Sequence, residues 1–150
     1  MEKEKEVASN RQAYFNYEIL DTFEAGIALK GTEVKSLRNG KCTLGDSYVE
    51  IQGVTAVLKL MSIPLYAFGN IHNHEEKRAR TLLLHKEEIL KIKKQIEQKG
   101  HTAVPLAVYF KKGLVKVKIG IGKGKKLHDK KSVLKERDLS REASRQMKDV

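Results

Sequence analysis

The stretch KVKIGIGKGKKLHDKK, from Lys116 to Lys131, constrains this chain more than any other. Its first half alternates as a strand does, with Val117, Ile119 and Ile121 on one face. Successive strand residues point to opposite faces, so the other face carries Gly120, Gly122 and Gly124 and no side chains. Then apolar residues nearly stop and lysines take over. Two readings of the bare face stay open: the glycines let barrel strands coil tightly, or they let an RNA backbone come close to the main chain. A nucleotide-binding loop is a poor reading, because no helix start and no Lys-Ser pair follows at the required offset.

The 150 residues are enough for one domain with a real core. A formal net charge of +11 sets up a long-range attraction for polyanions, nucleic acid first and an acidic membrane surface second. No apolar run approaches the ~18 residues of a membrane span, and MEKEKEVASN lacks the apolar stretch of a secretory signal. The single cysteine, Cys42, excludes an internal disulfide and a zinc ribbon or knuckle. A reducing, cytoplasmic setting is expected, with Cys42 a small buried or half-buried residue. No cofactor is expected.

Along the chain, residues 1–9 alternate Glu and Lys and read as a solvated arm. Tyr14 to Leu29 reads as one long strand bent at Glu24-Ala25-Gly26. Gly31-Thr32-Glu33 opens a short helix with Thr32 as its cap, and Asn39-Gly40 stops it. DSYVEIQ and TAVLKLMSI pair as a hairpin about Gly53, the second run ending at Pro64. Ala67 to Arg80 is an exposed loop or a short helical excursion. A helix runs from Leu82 to a stop at Gly100, with Ile89, Ile92 and Ile96 at helical spacing. HTAVPLAVYFKKG and LVKVKIGIGKG are two strands joined at Lys112-Gly113, and Pro105 marks an edge or a bulge in the first.

This order gives a mainly β fold with helices (α+β), an OB-like antiparallel barrel flanked by helices. The barrel domain spans 10–124, and a basic C-terminal tail spans 125–150. In the tail, Leu139, Ala143 and Met147 make a stripe too thin to offset ordering entropy alone, so it is expected to be disordered when free and helical when covered.

The candidate phosphate-contacting cations are Lys30, Lys35, Arg38 and Lys41, then Lys77, Arg78 and Arg80, then Lys116, Lys118, Lys123, Lys125 and Lys126. Such charges are usually solvated surface, but the global excess favours phosphate contact here. With no tryptophan and 6% aromatics, shape and backbone recognition of a folded RNA fits better than base stacking on single strands. His72 to Glu76, HNHEE, could bind a metal but lacks a nearby third ligand. His85 and His101 flank helix ends as caps or surface residues. No nucleophile, base and orienter come together, so no enzyme is read here. Two alternatives remain: a general OB-fold RNA-binding or ribosomal protein, and a metal-dependent nuclease using His72, His74 and Glu75.

FEAGIALKGTEVKSLRNGK (Phe23 to Lys41), DSY (Asp46 to Tyr48), RARTLLL (Arg78 to Leu84) and the opening stretch together resemble the SsrA-binding protein family, also called small protein B. The resemblance covers nearly the whole chain from Asn10 onward. It implies an OB-like barrel that binds the tRNA-like domain of transfer-messenger RNA and accompanies it to stalled bacterial ribosomes during trans-translation. Elongation factor Tu would join through the RNA, and the protein would act as a monomer. By motif match, Asn10, Glu24 and Leu83 belong to the RNA face, and Gly124, Lys125 and Lys126 to the barrel–tail junction. His128, Asp129, Lys130 and Lys131 match the first tail segment, which with Leu139 and Met147 would enter the decoding region and the empty message channel. Lys131 stands where the family more often has arginine, which keeps charge but loses bidentate geometry. Glu24 is a poor phosphate binder, so it either accepts hydrogen bonds from a base amino group or 2′-hydroxyl, or holds a neighbouring Lys or Arg.

Overall fold

The structure, a computed structural model, describes residues 5–40, 42–67 and 73–125. Its elements run β1 (Lys5–Ser9), α1 (Arg11–Asn16), β2 (Tyr17–Ile27), α2 (Gly31–Arg38), β3 (Tyr48–Gln52), β4 (Thr55–Lys59), β5 (Arg80–Leu83), α3 (Lys86–Ile96), β6 (His101–Lys111) and β7 (Leu114–Gly124). All pairings are antiparallel, in the order β1-β6-β3-β4-β5-β2-β7, and β6 also pairs with β7. Six strands therefore close into a ring, the barrel expected from the sequence, and β1 adds to β6 outside it.

The closure turns on β6. Near Ala103 it pairs with Val49 of β3, and from Ala107 to Phe110 it pairs with β1. The switch falls at a bulge between Pro105 and Ala107 in its pairing with β7. Proline has no N–H to give a ladder, so a bulge is where a central strand can hold one. Of the two expectations for Pro105, the bulge holds and the edge does not. The β6–β7 hairpin turns at Lys112 and Gly113, both at positive φ (51° and 78°), the backbone of a two-residue turn that matches strand twist.

Inside the ring lie Ala25, Ile27, Val49, Leu58, Leu82, Val108, Val117, Ile119 and Ile121, with Leu37 of α2 and Ile89 and Ile92 of α3 in the same core. Each of the Val, Leu and Ile side chains among them contributes about 1.5–3 kcal/mol by leaving water. Outside the ring is a second, smaller cluster: Ala13 of α1, Val104 and Leu106 of β6, with Tyr17 and Ile19 against them. This cluster covers the bare face of β7. A Cβ built on Gly120 would stand 2.7 Å from Leu106 Cδ1, and one on Gly122 would stand 2.6 Å from Tyr17 Cβ. The glycines at 120 and 122 are empty because the protein's own side chains fill the space, not because RNA does. Gly124 is exposed, and a Cβ there would meet nothing within 4 Å.

Four local expectations differ from the structure. The solvated arm is, from Lys5 to Ser9, a strand on β6 with Val7 and Ala8 packed against the core. The single strand from Tyr14 is split: Asn10 Oδ1 accepts the Ala13 N–H at 3.1 Å, caps α1, and delays the strand to Tyr17. Its bulge lies between Ile19 and Asp21 rather than at Gly26. The helix starts at Lys86, because Arg80–Leu83 alternates buried and exposed as β5; a short apolar run is ambiguous between the two periods. At α2, Lys30 rather than Thr32 holds the cap position, and its N–H donates to Glu33 Oε1 at 2.8 Å.

Overpacking a filled site typically costs 1–3 kcal/mol. Gly122→Ala is expected to lower unfolding stability by about that amount, since the clash is with a Cβ atom next to the main chain. Gly124→Ala is expected to be near neutral. Urea denaturation of the two variants checks this.

Candidate nucleic-acid interface

Arg80 begins β5 pointing into the protein and is 0% exposed. Its Nε donates to Glu33 Oε2 at 2.6 Å, its Nη1 to Met61 O at 2.6 Å, and its Nη2 to Glu76 O at 3.1 Å. Arg78 adds Nη2 to Glu33 Oε1 at 2.7 Å and Nε to Oε2 at 3.1 Å. A buried guanidinium is tolerable only when paired and hydrogen-bonded on all sides, and this one is. Burial opposes ionisation of Glu33, but bonds from Arg78, the Lys30 N–H and Arg80 outweigh it and hold its carboxyl below the usual range. Arg80 is therefore a scaffold residue, not the phosphate contact expected for it. Arg78 is committed to the same carboxylate, with its side chain 24% exposed.

Asn10 is a second correction. It is 4% exposed, its Nδ2 donates to Pro105 O at 2.9 Å, and its Oδ1 caps α1. It supplies the bond that the β6 bulge leaves open and does not present its side chain to an RNA.

With Arg80 buried, strict alternation turns Thr81 out, Leu82 in and Leu83 out, and Leu83 is 58% exposed. Gly26 of β2 lies beside Leu83, and a Cβ at 26 would stand 3.3 Å from Leu83 Cβ. Two residues back, Glu24 faces the same way and pairs with Lys118 across β7, as Gly26 pairs with Lys116. Two hollows meet here. One, of about 560 Å³, is lined by Tyr14, Thr22, Glu24, Tyr109 and Lys118 among others. The other, of about 650 Å³, is lined by Glu24, Val54, Thr81, Leu83, His85 and Lys116 among others. Glu24 lines both. The structure thus brings Glu24, Leu83, Lys116 and Lys118 together on one open face.

Glu24 is exposed and already engaged. The Tyr109 hydroxyl donates to its Oε2, and Lys111 Nζ lies 3.3 Å from Oε2 and 3.5 Å from Oε1. The Tyr109 bond chiefly, against partial burial and with help from Lys111 and Lys116, holds the carboxyl below its ordinary range. Tyr109 and Lys111 gave no sequence signal, because they lie 85 and 87 residues from their partner.

The other expected residues are elsewhere. Lys35 and Arg38 are exposed on α2, with Lys35 Nζ 5.5 Å from the Tyr66 ring centroid. Lys123 is exposed near the end of β7 opposite Glu18 and His101. Gly124 N–H donates to Gly100 O, and Lys125 is tied to α1 through its N–H to Asn16 O and its Nζ to Tyr14 O. Lys126, His128, Asp129, Lys130, Lys131, Leu139 and Met147 lie outside the described residues, as do Lys41 and His72.

The metal and nuclease reading loses its second ligand. His74 is 3% exposed, with Nδ1 2.8 Å from Thr32 Oγ1 and Nε2 2.9 Å from Ile63 O, so both ring nitrogens are engaged. Among the described residues no three His, Cys, Asp or Glu groups converge as a metal site. Burial pushes the Cys42 thiol up to about 11, slightly relieved by Arg80, so it is an inert half-buried thiol. No helix among the described residues is long and apolar enough to cross a membrane.

Fold and face define a small basic β-barrel of the kind that docks on structured nucleic acid. A family model described as SmpB protein matches residues 7–149, and the chain belongs to this SmpB protein family. It is 54% identical over 144 residues to the SsrA-binding protein of Chlamydia muridarum, covering 96% of this chain and 95% of that one. It is 51% identical over 147 residues to that of Protochlamydia amoebophila, covering 98% and 96%. A chain in a solved structure described as "tmRNA-SmpB: a journey to the center of the bacterial ribosome" superposes with a TM-score of 0.70 at 44% identity, covering 85% of this chain and 93% of that one.

Glu33 holds its charge more readily folded than unfolded, so its contribution is fully present above its ordinary pKa, about 4.5, and is lost as pH falls through the lower folded value. Arg80→Met should cost about 3–5 kcal/mol by leaving Glu33 partly unpaired in the interior. It should also weaken this acid-range dependence. Urea midpoints measured from pH 7 down to pH 3 check both.

Proposed function

We propose that this protein is an RNA-binding adaptor of trans-translation, not an enzyme. It binds the tRNA-like domain of transfer-messenger RNA and brings that RNA to stalled bacterial ribosomes. The observation that carries the reading is the convergence of Glu24, Leu83, Lys116 and Lys118 on one open face in a chain whose relatives are SsrA-binding proteins. The face is built for a folded polyanion. Lys116 and Lys118 meet phosphates, Leu83 packs on a sugar or base, and Glu24 accepts from an N–H or O–H donor, which a phosphate lacks.

Residues 126–150 carry eight lysines and arginines against five acids, so most of the chain's positive excess belongs to the barrel portion. That division suits a barrel that supplies RNA affinity and a tail that acts in a second RNA environment, the decoding region and empty message channel. The protein works in the bacterial cytoplasm as a monomer, with elongation factor Tu in the same complex through the shared RNA.

Binding to the tRNA-like domain should outlast competition by bulk tRNA in filter-binding assays; equal competition would favour a general RNA-binding protein instead. Lys116→Ala and Lys118→Ala should each weaken binding and flatten the log–log salt slope by roughly 0.7–0.9. A chain ending at Gly124 should keep RNA affinity and lose tagging on stalled ribosomes, measured by translation in vitro. Loss of both to the same degree would contradict the division of labour.

A further inference from the structure

Tyr109 and Glu24 are not on neighbouring strands. Glu24 pairs with Lys118 of β7, which pairs with Ala107 of β6; Gly26 pairs with Lys116, which pairs with Tyr109. Two strand spacings of about 4.8 Å separate the backbones. Only a long side chain on one strand, meeting a medium one on the other, crosses that gap. The Tyr109 side chain crosses outside β7 and its hydroxyl bonds Glu24 Oε2. Tyr109 itself is 8% exposed, whereas the Glu24 side chain is 39% exposed where the two hollows join.

We propose that Tyr109 is a positioning residue for RNA recognition: it fixes Glu24 Oε2 so that Oε1 faces the join of the hollows as a ready acceptor for an N–H or O–H donor on the RNA. The inference rests on the reading of this face as the RNA site. An unpositioned glutamate on the barrel's outer face samples several rotamers and loses that entropy on binding. Here the cost is already met by folding. Lys111 reinforces the pose from the same strand, at 3.3 Å from the same oxygen and at a marginal 3.5 Å from Oε1, which keeps a lone pair for the RNA. The bond also keeps the group an acceptor, because a carboxylate accepting a hydroxyl proton resists protonation.

The charged and titratable groups facing Glu24 come from several elements. Tyr109 and Lys111 reach it from β6, and Lys116 and Lys118 flank it on β7. Glu6 of β1 and Tyr14 of α1 line the first hollow, and His85 and Glu88 line the second. Of these, Tyr109 makes the largest contribution to holding Glu24 ionised.

The test is the affinity of the full chain for the tRNA-like RNA domain, from pH 7.5 down to pH 4.5, for Tyr109→Phe, Glu24→Gln and the double variant, with thermal unfolding alongside. Tyr109→Phe should weaken binding at neutral pH by roughly three- to tenfold, the cost of ordering one rotamer-rich side chain on binding. Its acid loss of affinity should begin at higher pH than in the parent, and the double variant should bind no worse than Glu24→Gln alone. If Glu24→Gln weakens binding but Tyr109→Phe does not, or if the two losses add in full, the positioning role is overturned while the RNA face stands. If Glu24→Gln binds as tightly as the parent, the RNA contact itself falls and the inference with it. A lowered melting temperature with parental affinity and an unmoved pH profile would make Tyr109 a packing residue only.

Discussion

The buried ion pair between Arg80 and Glu33 sets the phase of the surface proposed to meet RNA. An arginine at the head of a four-residue strand could point in or out. Met61 and Glu76 carbonyls and a wholly buried carboxylate make the inward position the favourable one. Once Arg80 is in, Leu82 must enter the core and Leu83 must face solvent beside Gly26 and Glu24. A slip of one residue would reverse the alternation, bury Leu83 and Thr81, and remove the apolar part of the face. A buried interaction thus decides which side chains the proposed RNA face presents.

A second constraint comes from β6, which serves three neighbours in eleven residues. Its bulge after Pro105 lets it change partners. The Asn10 amide takes up the freed Pro105 carbonyl, and the Asn10 carbonyl oxygen of the same side chain starts α1. That helix carries Ala13 over the β6–β7 face, where Leu106 and Tyr17 lie on two glycines. The outside of the barrel is therefore divided. One part of β7 is sealed by α1, and the part bearing Lys116 and Lys118 is left open. Lys125, tied to Asn16 and Tyr14, fixes where the chain leaves this sealed end.

Much of this was legible in the sequence. The β3–β4 and β6–β7 hairpins, the short α2 and the Ile89–Ile92 face of α3 follow from turn chemistry and periodicity. The family motifs pointed to Glu24 and Leu83, and the structure brings them together. What the sequence hid were partners chosen by tertiary structure. Arg80 and Arg78 look like surface cations in any list of charges, yet their carboxylate lies 47 and 45 residues away. Asn10 looks like a polar contact, yet it answers an unpaired carbonyl 95 residues on. The β5 strand straddles the loop expected to end at Arg80 and the helix expected to begin at Leu82, because Leu82 and Leu83 alone carry too little period to decide. The glycine row left two explanations open, and only the position of Leu106 and Tyr17 chose between them.

The central claim is that RNA docks on the open β2–β5–β7 face and leaves the sealed α1 face alone. Amide chemical-shift mapping of the full-length protein, titrated with the tRNA-like RNA domain, addresses it directly. The account predicts perturbations clustered at Thr22, Glu24, Gly26, Leu83, Lys116 and Lys118, with Ala13, Gly120 and Gly122 unmoved. Perturbations centred on α1 and the two buried glycines, with the Glu24 face silent, would contradict it.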